Sequence, residues 1–189
     1  MDRRAAEAAI ADFLRALGHD PASDPELRHT PARVVEAFAD ELLSGYGVDL
    51  AAVVASGSTE APATSGGVVA LRDLSIATVC PHHLLPGLGR AAVVYKPGTR
   101  VLGLGAIARL VDACSRRLAL QETIAEDVVK ALLVHAGARG AYCEVTLVHG
   151  CLSARGACQS NARATSLARD GDLSETEVAL ALGHVSGAR

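Results

Sequence analysis

Cys80-Pro81-His82-His83 and His149-Gly150-Cys151 constrain this chain more than any other feature, because their side chains are useful together only if the fold joins stretches about seventy residues apart. Two thiols and neighbouring imidazoles are the preferred ligands of zinc. The separation rules out a compact zinc finger. Structural zinc sites close with four protein ligands, whereas catalytic ones keep three and leave a fourth position for water. If Cys80, His83 and Cys151 take the metal, His82 and His149 stay free for proton transfer, which is a hydrolase arrangement. Spacing alone leaves both arrangements open.

The other cysteines carry less. Cys114, Cys143 and Cys158 stand singly and read as buried or inert thiols. Five cysteines, an odd number, argue against a disulfide framework. The start Met-Asp-Arg-Arg runs into an amphipathic pattern instead of an apolar core, so no signal peptide is expected and a reduced, cytoplasmic protein is. No apolar run reaches membrane-spanning length. A net charge of -3 and 3% aromatic residues give neither a basic stripe nor a stacking series, which argues against a nucleic-acid partner. With few large aromatics the core must rely on Val, Leu, Ile and Ala. Oligomerisation would help such a chain bury more surface.

Along the chain, Ala5, Ala8, Ala9, Phe13, Leu14 and Leu17 recur at helical spacing and predict a helix over 3–17, stopped by Gly18. Thr30-Pro31 looks like an N-cap and a first-turn proline for a second helix ending at Ser44-Gly45. A helical region 1–54, a Ser/Thr/Gly/Pro-rich linker 55–67 and a catalytic domain 68–189 are therefore expected. Residues 68–80 and 89–95 read as strands, with a turn at Lys96-Pro97-Gly98-Thr99. Helical spacing follows through Ile107, Leu110, Val111 and Cys114, and again through Leu120, Ile124, Val128 and Leu132. Residues 141–149 alternate as a strand that delivers His149 and Cys151 to the same end as Cys80. The class is α+β, an antiparallel sheet with helices packed on one face, preceded by N-terminal helices. His19, His29, His135 and His184 have no ligand-spaced neighbours. A short helical pattern at Glu177, Leu180 and Ala181 carries no motif.

Several of these residues are spaced as in GTP cyclohydrolase I, a resemblance covering roughly residues 30–168. Cys80 to Pro86 resembles the family's Cys-Glu-His-His-Leu-Leu-Pro, and Gly103 to Arg109 its Gly-Leu-Ser-Lys-Ile-Ala-Arg. Gln121-Glu122 resembles its Gln-Glu pair, and His149-Gly150-Cys151 with Arg155-Gly156 its His-x-Cys-x-x-x-Arg-Gly. The resemblance implies a tunnelling fold, with homo-oligomeric pentameric rings stacked as a decamer and active sites between subunits. It implies Zn2+ held by Cys80, His83 and Cys151, proton transfer by His82 and His149, and a guanine edge read by Glu122 with Gln121. The implied reaction is hydrolytic opening of a purine imidazole ring, releasing formate in the family's full reaction.

The departures concern the phosphates. The family's Ser-Lys is Gly105-Ala106 here, and a lysine common three positions after the Thr-Pro-x-Arg arginine is Glu36. Arg33, Arg109 and Arg155 remain as substrate-binding cations. Losing two lysines and gaining a carboxylate suits four phosphate charges poorly, so a guanine-type purine with few or no phosphates is expected. The alternative is an ordinary GTP cyclohydrolase I making 7,8-dihydroneopterin triphosphate and formate. Two rival classes are a thiol-dependent tunnelling-fold reductase and a non-catalytic purine-binding oligomer.

Overall fold

The structure, a computed structural model, describes residues 1–61 and 66–183. His184 and residues 62–65 of the expected linker lie outside them. The chain divides into two compact units, Met1–Ser44 and Gly45–Arg189.

In the first unit, α1 (Arg3–Ala16) begins at Asp2, whose carboxylate accepts the Ala5 N–H. A second helix, α2 (Thr30–Glu36), continues as a π-helical turn over Ala37–Leu42. Thr30 is not its cap. His29 already has near-helical backbone angles and the Thr30 N–H donates to Leu27 O, so the preceding turn runs straight into the helix.

The second unit opens differently from expectation. Gly45 does not merely stop a helix: it is buried, and a Cβ there would lie 2.2 Å from Ala113 O. Only a glycine allows that approach. Asp49 then caps α3 (Leu50–Ser56) through two backbone N–H groups, and β1 (Ser58–Glu60) pairs antiparallel with β4 (Arg100–Leu102). Part of the stretch expected as linker is thus helix end and strand. Three-residue strands carry too little alternation to be read from sequence.

The main sheet follows in the order β2 (Val69–Val79), β3 (Pro86–Lys96), β5 (Gly140–His149) and β6 (Ala164–Gly171), all neighbours antiparallel. Between β4 and β5 run α4 (Leu104–Ser115) and α5 (Gln121–Ala136), the latter ended by Gly137 in left-handed conformation. Alternation sends Val93, Tyr95, Cys143 and Val145 to one face, where they meet Ile107, Leu110, Ile124 and Val128 of the helices. This is the α+β class expected, with a ββααββ core.

Of the two remaining helices, the first was not located in sequence, and the second is the short helical pattern at Glu177, Leu180 and Ala181. A short α6 (Gly150–Ser153) continues directly from β5, and α7 (Glu175–Leu182) packs Val178 and Leu182 near Val94 and Tyr142 on the opposite sheet face. Helices therefore occupy part of both faces. Polar anchors hold α7: Ser174 and Glu177 form a capping box, and Glu177 lies 2.8 Å from Lys96 Nζ. The Lys96 ammonium, then the Ser174 N–H, hold the Glu177 carboxyl at about 2, below its ordinary 4.5. A folded-state value below the unfolded one means a contribution complete above pH 4.5 and lost as pH falls toward 2. Hydrogen-exchange protection of α7 relative to α5 is expected to fall between about pH 6 and about pH 3. Equal relative protection at both would refute this anchoring.

Candidate metal centre and active site

Strand register assembles the site. Val79 pairs with Pro86, and Gly87 with His149, so the ends of β2 and β5 flank the start of β3. Cys80 follows β2 and Cys151 follows β5. Gly150 closes the gap, since a Cβ there would stand 2.9 Å from Pro86 O.

The loop after Val79 folds back on itself. Cys80 N–H donates to Leu85 O and Leu84 N–H to Cys80 O, both at 2.9 Å. Leu84 takes φ 53°, a left-handed conformation uncommon for a leucine. Closure brings His83 Nδ1 to 3.7 Å from Cys80 Sγ. A tetrahedral zinc with ordinary Zn–S and Zn–N bonds separates such donors by about 3.6 Å. The ligand atoms of Cys80, His83 and Cys151 all lie within 4.8 Å of one another.

Electrostatics points the same way. Burial, then the Cys80 thiol beside it, raises the Cys151 thiol, while Arg155 opposes the rise. Two adjacent thiolates resist ionising together, and a dication between them offsets that repulsion. The donor set and its spacing fit zinc. By contrast, Cys114 and Cys143 are buried in the core and burial pushes each thiol up to about 12, which makes them inert. Cys158 is exposed and its Sγ contacts Gly156 O. All five cysteines are free.

His82 is exposed, its ring edge-on to His83 with centroids 6.2 Å apart. His149 is half-buried and its Nε2 lies 2.7 Å from Gln121 Oε1. Glu122, next in α5, is exposed and has no hydrogen-bond or ion-pair partner among the described residues. Gln121 is 6% exposed, and its Nε2 donates to Val145 O and Ala164 O, each at 2.8 Å. Its amide is turned into the protein.

Arg155 is exposed near Cys151. Arg109 is exposed on α4, with Nη1 3.5 Å from where a Cβ of Gly105 would be. Arg33 is exposed on α2 in the first unit. Ala106 is 2% exposed, and its Cβ would lie 2.3 Å from a Cβ at Gly57. Sequence reasoning did not single out Gly87, Gly150 or Gly57. The available signal was a glycine set between two functional residues at a strand end, as in His149-Gly150-Cys151.

A candidate three-donor metal centre with two further imidazoles nearby, at one end of an antiparallel ββααββ sheet, is the arrangement that a metal-dependent hydrolase uses. Residues 6–181 match the sequence model described as GTP cyclohydrolase I. A protein of Leifsonia xyli subsp. xyli named GTP cyclohydrolase 1 is 41% identical over 92% of this chain and 90% of its own. One of the same name from Deinococcus radiodurans is 38% identical over 87% of this chain and 74% of its own. A third, from Campylobacter lari, is 34% identical over 90% of this chain and 88% of its own. The chain belongs to the GTP cyclohydrolase I family. Among the described residues no helix is long and apolar enough to cross a membrane.

Proposed function

We propose that this chain is a zinc-dependent cyclohydrolase that opens the imidazole ring of a guanine-type purine bearing few or no phosphates. Cys80, His83 and Cys151 would hold the metal, and zinc there would supply Lewis acidity for hydrolysis at an amidine carbon. His82 and His149 carry protons to and from the ring nitrogens. The free carboxylate of Glu122 suits the adjacent N–H donors of a guanine edge, and adenine lacks that pair. Arg109, Arg155 and Arg33 are the cations proposed for an anionic substituent.

The observation that carries the substrate reading is Ala106. Where relatives of the family pattern have a phosphate-holding lysine, this chain has a residue 2% exposed and pressed against Gly57. A phosphate contact is missing there, and the space for it is closed. Glu36 adds a negative charge at the other altered position. Zinc-loaded protein is to be incubated with GTP, GMP, guanosine and guanine while formate and purine absorbance are followed together. The expected result is faster turnover of a phosphate-poor purine than of GTP. GTP turnover equal to or above every phosphate-poor analogue would overturn the reading.

A second reading has its own support. The relatives reported above are named GTP cyclohydrolase 1 at up to 41% identity, and Arg109 and Arg155 persist. On that reading the product is 7,8-dihydroneopterin triphosphate with formate.

The proposal includes a cytoplasmic homo-oligomer of pentameric rings stacked as a decamer. It is supported by the outer edges of β2 and β6, each paired on one side only within the sheet, and by Leu167, 63% exposed on β6. Free cysteines accord with a reducing compartment.

A further inference from the structure

We infer that Gln121 is a positioning residue that fixes which nitrogen of His149 faces the reacting purine, instead of reading the purine's edge. The inference rests on the functional reading above. An amide has one accepting oxygen and one donating nitrogen, and their placement decides what a neighbour must do. Both Nε2 hydrogens of Gln121 are used, on Val145 O of β5 and Ala164 O of β6. Flipping the amide would set its oxygen against two carbonyl oxygens, so the orientation is fixed. Oε1 therefore faces His149 Nε2 at 2.7 Å and can only accept. His149 must donate from Nε2.

In a neutral imidazole with its proton on Nε2, the lone pair is on Nδ1. That atom sits over a strand position with no side chain. Gly87 pairs with His149 across β3 and β5, and a Cβ on Gly87 would stand 3.5 Å from Nδ1. One ring nitrogen is thus held by a buried amide and the other lies over bare backbone. The Ser166 hydroxyl donates to Gln121 O and ties the first residue of α5 to β6. The adjacent Gln121-Glu122 pair divides its work: Gln121 faces inward to orient the imidazole, and Glu122 faces outward to the substrate.

Two variants separate orientation from packing. Gln121→Met and Gln121→Glu both lose the amide donors to Val145 and Ala164, but only Gln121→Glu keeps an acceptor for His149. Each is to be prepared zinc-loaded, with zinc per protomer measured, kcat and KM determined on the best purine of the panel, and 15N-histidine spectra recorded by solid-state NMR. In the wild type, His149 is expected to show a protonated Nε2 and a bare Nδ1. For Gln121→Met, kcat is expected to fall about ten- to a hundred-fold with KM changed less than about three-fold and the His149 pattern mixed. Gln121→Glu, held protonated by burial so that one oxygen donates to a carbonyl while the other accepts from His149 Nε2, is expected to restore the His149 pattern and part of kcat.

A protonated Nδ1 in the wild type would overturn the inference, as would a Gln121→Met variant whose KM rises while kcat holds. Equal kcat in the two variants would also overturn it. If the wild type opens no purine, the functional reading falls, and the NMR comparison alone decides whether Gln121 orients His149.

Discussion

Cys151→Ala is expected to remain folded, to lose its zinc, and to turn over its purine at least about a thousand-fold more slowly. The reason lies in the local geometry. Cys151 is one of three donors within 4.8 Å, and it comes from a different strand end than the other two. Removing it leaves Cys80 and His83 on one loop, a two-donor set too weak to hold zinc against water. No core contact is lost, because Cys151 is only partly buried in the first turn of α6. Zinc content by atomic absorption, read beside formate release and circular dichroism, checks it. One zinc per protomer with turnover within ten-fold of wild type would remove Cys151 from the metal site. Cys158→Ala is the matched control, since that thiol is exposed and contacts only its own loop.

Gly89→Ala is expected to cost about 3 kcal/mol and to lower the melting temperature by about 6–12 °C. A Cβ on Gly89 would lie 1.9 Å from Thr146 O and 2.9 Å from its carbonyl carbon. Both are backbone atoms of β5, the strand that pairs with β3 at this point, so no side-chain rotation relieves the clash. The central ladder has to open. Urea unfolding of the zinc-free protein is the cleaner measurement, because bound zinc would stabilise the folded state by mass action. An unchanged midpoint would mean that the sheet has slack that its register does not indicate.

What could be read from sequence divides along physical lines. The α4 and α5 stripes and the alternation of β5 were legible because each has enough residues to establish a period. The start of β3 was not. Pro86 and Gly87 read as loop, yet a proline is tolerated at the first position of a strand, and Gly87 is where His149 packs. Clustering of Cys80, His83 and Cys151 followed from types and spacing once β2 and β5 were seen to end together. The Gln121 contact with His149 depends on β5, β6 and α5 meeting at one point, and nothing local in residues 121–149 encodes it. Resemblance put Gln121 beside a substrate, and geometry puts it beside a histidine.

The contact between Ala106 and Gly57 also couples two positions. A lysine placed at position 106 would begin in a space with 2% exposure, beside the turn between α3 and β1. Burying its ammonium without a partner is costly. A long cationic side chain at 106 and the conformation of the turn at Gly57 are therefore not independent: the helix and the turn have to change together.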